Sequence, residues 1–388
     1  MNRGKTGALI IEGHVQGLSN TRSLGEAGIP VYVVDKNACI AAKSKYCQKF
    51  FICPDFQTDA FADFLIELAQ KEGINGWVLI PSNDHAVYTI SKHKTKLEEF
   101  YKVITPGLDI IENIYDKSTL LDIAKSRGIP IPKTQYLKTN QEQLNGLNFP
   151  VLTKGRFGLS FYRVTGKKAF FANNQVELQA QLKEIEQKFS LEKTFTQELI
   201  PFDGSNKTVS FTAFCVDGEI KAHWMGVKLR EHPIQFGTAT FAKSVFIQEC
   251  LNQSIPLLKT LKYTGVCEVE YLKDPRDNEY KLIEINARTW LWVGLAKACG
   301  VDYAKMIYDY VNGDSDFQIT TYQQNRYWYN PITDIVFSII GIIKGKVSLT
   351  EYFKSVFARK KTNALFSSTD IKPGFAYIFN LLQFYKSR

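Results

Sequence analysis

The stretch GVCEVEYLKDPRDNEYKLIEINAR, residues 265–288, carries the densest set of potentially reactive side chains in this 388-residue chain. Two strand-like runs flank the turn-rich DPRDNE, a pattern that predicts a β-hairpin. If pairing is symmetric about Asp277, Glu270 faces Glu284 and Glu268 faces Asn286. The two-residue period of a strand then turns all four to one side. Cys267, Val269, Tyr271, Ile283, Ile285 and Ala287 make the opposite, core-facing side. Directly opposed like charges destabilise a sheet, so the three glutamates need a compensating cation, either a lysine or arginine from elsewhere or a bound metal. Mg²⁺ is the best candidate: it prefers hard oxygen ligands and completes its shell with water and substrate phosphates. Taken alone, the feature could equally be a solvated edge hairpin.

Such a hairpin does chemistry only if other elements bring cations and a ligand to its polar side. From Gly7 to about Pro106, apolar runs (ALII, VYVVD, FFICP, GWVLIP, YKVITP) alternate with helically spaced segments such as DAFADFLIELAQKEG and HAVYTISKHKTKLEEF. This is the pattern of a doubly wound parallel sheet wrapped by helices. Near Ile114 the rhythm changes: YDKSTLLDIAKSRG predicts a helix closing at Gly128, followed by the extended IPIPKTQYL. Residues 150–290 are strand-rich, α+β and largely antiparallel, interrupted by helical NNQVELQAQLKEIEQKF and IQECLNQSIPLLKTLKY. From about Thr320, DIVFSIIGIIKG, LTEYFKSVFARKK and GFAYIFNLLQFYKSR read as apolar and aromatic helices with basic edges.

Together these residues resemble the ATP-grasp superfamily, in its carbamoyl phosphate synthetase/biotin carboxylase-like and D-aspartate ligase branch. The EYLK and LIEINAR runs are similar to the family's metal signature, YDKSTLLDIAKSRGIPIPKT to the segment opening its nucleotide module, PVLTKG to the strand bearing its second lysine, and QELIP to its adenine hinge. The resemblance implies Glu270, Glu284 and Asn286 as ligands of two Mg²⁺ ions, with Mn²⁺ able to substitute. It implies Lys117 and Lys154 on the phosphates of ATP, and Gln197, Glu198, Leu199 and Ile200 around the base and ribose. Arg288 and Asn286 become the catalytic groups, Arg288 stabilising charge on the transferred phosphoryl or the acyl phosphate and Asn286 acting as a further metal or phosphate ligand. Lys228 and Arg230 are further candidates for substrate phosphate or carboxylate, with a solvated strand edge as the alternative. One departure stands out: where many members carry a glycine-rich loop after the second lysine, KGRFGLSFYR offers only Gly155 and Gly158, so closure over the phosphates is expected to differ.

The resemblance covers roughly residues 5–310. It implies a Rossmann-like pre-ATP-grasp domain over 1–112, an ATP-grasp module of two α+β subdomains over 113–318, and a helical C-terminal extension over 319–388. The implied activity is ATP-dependent ligation of a carboxylate to an amine or related nucleophile through an acyl phosphate, releasing ADP and phosphate, on an amino acid or a cell-envelope or other small-metabolite carboxylate. The alternative is a non-catalytic regulatory protein that binds ATP on the same fold.

Composition narrows the remaining classes. A formal net charge of +9 favours anionic partners. Seven cysteines without a CxxC give neither a disulfide framework nor a zinc site and suit a reducing compartment. The start, MNRGKTGALIIEG, lacks the apolar core of a signal peptide, and the longest uncharged apolar run, residues 335–343, is about half of what a bilayer-spanning helix needs. The expected location is cytoplasmic. Peripheral contact with the inner face of a membrane through the basic and aromatic C-terminal helices, and a homodimer, are the further associations considered; nucleic acid is not expected. Gly13, Gly17 and Asp35 could suggest a dinucleotide loop, but GxGxxG is absent. The five histidines form no metal motif, and Trp290 and Trp292 read as core more readily than as an acceptor pocket.

Overall fold

The computed structural model describes residues 6–204, 206–233 and 237–386. Its N-terminal part is an all-parallel sheet of β1 (Ala8–Ile11), β2 (Val31–Asp35), β3 (Cys47–Ile52), β4 (Trp77–Pro81) and β5 (Tyr101–Val103), ordered β3-β2-β1-β4-β5. The uniformly apolar ALII of β1 is buried on both faces, as a central parallel strand must be. Ala8 and Ile10 join the core under α1 (Val15–Glu26), while Leu9 and Ile11 pack with α2 (Asp59–Glu72) and α3 (Asp84–Lys92). A short α4 (Lys94–Glu98) completes this layer. Strand order reverses at β1, which opens a crevice at the carboxyl ends of β1 and β4.

Helices α5 (Leu108–Tyr115) and α6 (Lys117–Ser126) follow with one residue between them. That residue, Asp116, accepts from the backbone N–H of Ser118 and Thr119 and so starts the second helix. Gly128, at φ +69°, ends the segment in the left-handed conformation that glycine adopts without strain. A small antiparallel sheet of β6 (Thr134–Gln135), β7 (Val151–Gly155), β8 (Phe170–Ala172) and β9 (Thr194–Glu198) is covered by α7 (Gly158–Thr165) and α8 (Gln175–Glu186).

The central sheet comprises β10 (Thr208–Val216), β11 (Glu219–His232), β12 (Thr238–Ser244), β13 (Gly265–Lys273) and β14 (Tyr280–Asn286), with β15 (Tyr327–Tyr329) and β16 (Lys361–Asn363), ordered β14-β13-β10-β11-β12-β15-β16. One face, including Phe211, Met225, Val269 and Ile285, packs with α9 (Gln248–Thr260) and with Ile114 and Leu120 of α5 and α6. The other carries Trp224, which packs with Trp290, Trp292 and the helices α10 (Val293–Ala298) and α11 (Tyr303–Val311). Residues 319–386 contain the helices α12 (Pro331–Ile343), α13 (Leu349–Val356) and α14 (Lys372–Lys386), and they also supply β15 and β16. Among the described residues no helix is long and apolar enough to cross a membrane.

The C-terminal segment fastens the N-terminal sheet to the central one. Buried Arg22 of α1 donates to Asp370 Oδ2 at 2.9 Å and to the carbonyls of Leu365 and Asp370 at 2.8 and 2.7 Å. Asp370 also accepts from Ser44 Oγ at 2.7 Å and from the Lys45 N–H at 2.9 Å. Removing one partner of a buried pair leaves an uncompensated charge, so Asp370→Ala is expected to lower stability by about 3–5 kcal/mol. Chemical denaturation measures the loss, and limited proteolysis should show the segment around residue 370 released first.

Candidate active site

The hairpin of β13 and β14 has the expected register where the chemistry lies: Glu268 opposes Asn286 and Glu270 opposes Glu284. A bulge follows, so that Tyr271 opposes Leu282. Leu282 is fully buried and Ile283 only partly, the reverse of strict alternation about Asp277, because one extra residue shifts the period.

The polar face continues onto β10, where Ser210 opposes Glu270 and Thr212 opposes Glu268. Ser210 Oγ donates to one oxygen of Glu268 at 2.6 Å, and Asn286 Nδ2 donates to the other at 3.1 Å. Glu268 is only 3% exposed; burial first, and Glu270 second, push its carboxyl up to about 7 against the pull of Lys228 and Ser210.

Lysines from different elements meet this face. Lys228, on β11, reaches Glu270 at 2.9 Å. Burial lowers its pKa, but Glu270 and Glu268 outweigh that and raise it. Lys117, the first residue of α6, reaches Glu284 at 2.5 Å. Lys117 holds the Glu284 carboxyl down at about 2 despite burial, and Glu284 and Glu270 raise Lys117 against burial's opposite effect. The side chain of Lys154, on β7, forms no hydrogen bond or ion pair among the described residues. Burial, reinforced by Lys117, lowers it to about 8, with Glu284 and Glu270 opposing.

The loop after Lys154 is held by an ion pair rather than left free by glycines. Arg156 donates from Nε and Nη2 to the two oxygens of Asp116 at 3.1 and 2.5 Å, and its carbonyl accepts the Lys117 N–H at 2.9 Å. Gly155 is required by close packing, since a Cβ there would lie 2.2 Å from that of Phe161. The two lysine-bearing elements are thereby fixed to one another.

Arg288 leaves the end of β14 toward the N-terminal sheet. Its Nη2 lies 3.0 Å from Asp84 Oδ2, at the start of α3, and 3.3 Å from Asn286 Oδ1. Its Nε is buried without a protein partner among the described residues. On the same side is Glu12, whose backbone is left-handed at φ +71° and whose carboxylate accepts from Gln16 Nε2 at 2.8 Å. Burial first and Asp35 second push Glu12 up to about 7, with Arg288 opposing.

The other sequence candidates fall elsewhere. Glu198 is buried and its carboxylate is committed to Arg276 Nη1 at 2.6 Å and the Asn148 N–H at 2.8 Å, tying the small sheet to the hairpin turn. Gln197 donates to Thr134 Oγ1 at 3.0 Å, and the Leu199 N–H to the Pro150 carbonyl at 3.0 Å; Ile200 is buried. Arg230 pairs through Nε and Nη2 with Asp334 of α12, at 2.8 and 2.6 Å, and lies over Phe241. Asp35 accepts from the Gly13 N–H at 2.8 Å and from the Lys36 N–H at 2.7 Å. Trp290 and Trp292 are core. Sequence reasoning assigned no role to Ser210, Asp84 or Glu12. For Ser210 a signal existed in the alternating polar stripe Thr208, Ser210, Thr212; Asp84 and Glu12 gave none beyond lying after predicted strands.

As the side chains stand, no group of three acidic, His or Cys residues among those described converges on one cation position; lysines take Glu270 and Glu284. The donor set itself fits Mg²⁺, with two opposed carboxylates and an amide oxygen, all hard ligands, on one face.

Comparison with known proteins agrees with this arrangement. Residues 233–314 match the model of the carbamoyl-phosphate synthase L chain ATP-binding domain. The chain is 26% identical to D-aspartate ligase of Enterococcus faecium over 295 residues, 71% of this chain and 69% of that one. In structure it is similar to the L-amino acid ligase of Bacillus licheniformis, with TM-score 0.61, 14% identity, and coverage of 82% of this chain and 76% of the other. It is also similar to the biotin carboxylase domain of Hydrogenobacter thermophilus 2-oxoglutarate carboxylase solved with MgADP, with TM-score 0.63, 15% identity, and coverage of 84% and 74%. The fold is that of the ATP-grasp proteins. In fold and in these matched segments the chain is similar to ATP-grasp ligases.

Lys154 carries its charge below about pH 8 and loses it above. Because phosphate favours the ammonium, nucleotide binding should take up protons and weaken as pH rises from about 7 to 9. Calorimetry in buffers of different ionisation heat measures the uptake, and Lys154→Arg, whose charge does not titrate, should remove this component.

Proposed function

We propose that this chain uses ATP to convert the carboxylate of an amino acid into an acyl phosphate and then joins it to an amine, releasing ADP and phosphate. The observation that carries the reading is the hairpin face of Glu268, Glu270, Glu284 and Asn286, met by Lys117, Lys228 and, near them, Lys154. The kinship to proteins named for D-aspartate and L-amino acid ligation supports an amino acid as the activated substrate or its acceptor.

Residues 113–318 are the catalytic module in this reading. Lys117 and Lys154 bind the phosphates as point charges. Glu270, Glu284 and Asn286 hold two Mg²⁺ ions, which Mn²⁺ can replace, and the metal when bound neutralises charge on the β- and γ-phosphates. Lys228 donates to Glu270 and so fixes its position. Because the Glu198 side chain and the Leu199 N–H are already committed, adenine is held by the remaining backbone groups of the hinge and the apolar surface around Ile200. The substrate carboxylate oxygen attacks the γ-phosphorus, the bond to ADP breaks, and Arg288, with a free buried Nε–H, stabilises the charge on the transferred group. The amine then adds to the acyl carbon and phosphate leaves. No nucleophilic side chain is needed, since positioning and electrostatics supply this chemistry.

Phosphate release from Mg-ATP, screened over an amino-acid pool, tests the proposal. Turnover should need one amino acid or a pair, and Glu270→Gln should reduce it by about 100-fold or more while the protein stays folded. Tight ATP binding without turnover under any substrate would favour the regulatory alternative, and absence of ATP binding would sink both readings.

A further inference from the structure

The C-terminal helices expose apolar rows to solvent. Ile335, Ile339 and Ile343 form one row along α12, flanked by Val336 and Ile340. On α13 and just beyond it, Leu349, Phe353 and Phe357 form another, and Phe375 and Phe379 project from α14. Thirteen of the twenty-three exposed large apolar residues recorded for the described chain lie between 335 and 379, so the exposure belongs to this segment rather than being scattered. Ile343 and Phe357 are each 79% exposed. The inward faces are already occupied: Arg230 binds Asp334 of α12 and lies 5.2 Å from the Tyr352 ring of α13, and Tyr377 of α14 meets Asn330 at the start of α12. The apolar rows therefore face away from the sheet that anchors the helices.

Charge identifies the occupant. Lys344, Lys346, Lys354, Arg359, Lys360 and Lys372 are exposed beside these rows, and none forms an ion pair among the described residues. The acidic residues of the segment are exposed Glu351 and buried Asp370, which is bound to Arg22. A second copy docking face to face would oppose this cationic rim to itself. A surface that offers negative charge around an apolar interior satisfies both features, and an anionic lipid bilayer is that surface.

We propose that α12, α13 and α14 dock this protein on anionic membranes, with the apolar rows entering the headgroup boundary and the lysines and arginine engaging lipid phosphates. Docking does not depend on the ligase chemistry, and the catalytic cleft needs no change to permit it.

Flotation of the full chain with vesicles tests this, using phosphatidylcholine alone or equal parts phosphatidylcholine and phosphatidylglycerol. Binding should require the anionic lipid and weaken with salt. The triple variant Lys344→Ser, Lys346→Ser, Arg359→Ser should partition roughly 100-fold less, at about fivefold per cation. Ile343→Ser with Phe357→Ser should lower partitioning by about tenfold or more. Both variants alter exposed positions outside the site, so ATP binding should match the unsubstituted chain; a loss of ATP binding in all of them would count against the functional reading and not against docking. Failure to float with anionic vesicles, floating unaffected by both variants, or a solution dimer that Ile343→Ser with Phe357→Ser dissociates would each overturn the proposal, the last by assigning the face to a second copy.

Discussion

Glu270 and Glu284 stand opposite one another across two paired strands, a placement that costs energy unless cations share the space. The surrounding architecture is arranged to bring those cations. Lys228 comes from two strands away in the same sheet, and Lys117 arrives at the start of a helix whose own start is fixed by Asp116. Lys154 arrives on a strand of the small sheet, near enough to feel Lys117 and both glutamates. Asp116 serves both positions: its carboxylate caps α6 and grips Arg156, so one side chain sets the relation between the elements that carry Lys117 and Lys154.

The same charge balance explains why a nucleotide on this site should come with a divalent cation. Lys117 is the internal counterion of Glu284, and Lys228 that of Glu270. A phosphate that drew Lys117 to itself would leave a buried carboxylate uncompensated, which is costly in a low-dielectric site. A ligand that brings its own positive charge avoids that penalty, because phosphate takes the ammonium while the accompanying cation takes the carboxylate. Glu268 differs. Pushed up to about 7 and bonded to Ser210 and Asn286, it serves the face as a hydrogen-bonding brace more than as a fixed charge.

Much of this was legible in the sequence because it follows from short-range rules. The two-residue period placed Glu268, Glu270, Glu284 and Asn286 on one side, and the alternating apolar runs fixed the parallel sheet. What escaped depended on contacts distant in the chain or on small irregularities. The bulge after Glu270 exchanged Ile283 for Leu282 in the core, and no turn residue announces it. Glu198 fits the hinge motif as a type of residue, yet Arg276 from a turn far along the chain occupies its carboxylate. Arg230 sits two residues from Lys228 on the same strand, but a register shift separates them and α12 provides Asp334, a partner that could not be inferred from β11 alone.

The N-terminal part reaches the site through an ion pair of Asp84, at the start of α3, with Arg288, residues far apart in sequence. Such a contact can position a guanidinium only if the two sheets cannot shift against each other. Asn20 of α1 supplies one restraint, donating to Thr289 Oγ1 at 2.9 Å beside Arg288 itself. Arg22, two residues further along α1, supplies another by gripping Asp370 and the Leu365 carbonyl. The C-terminal segment that carries this grip also forms the last strands of the central sheet, so it joins both sheets at once. Part of the restraint on Arg288 thus originates in a part of the chain beyond the resemblance to the family, and the extension is a structural condition for the site as well as a surface.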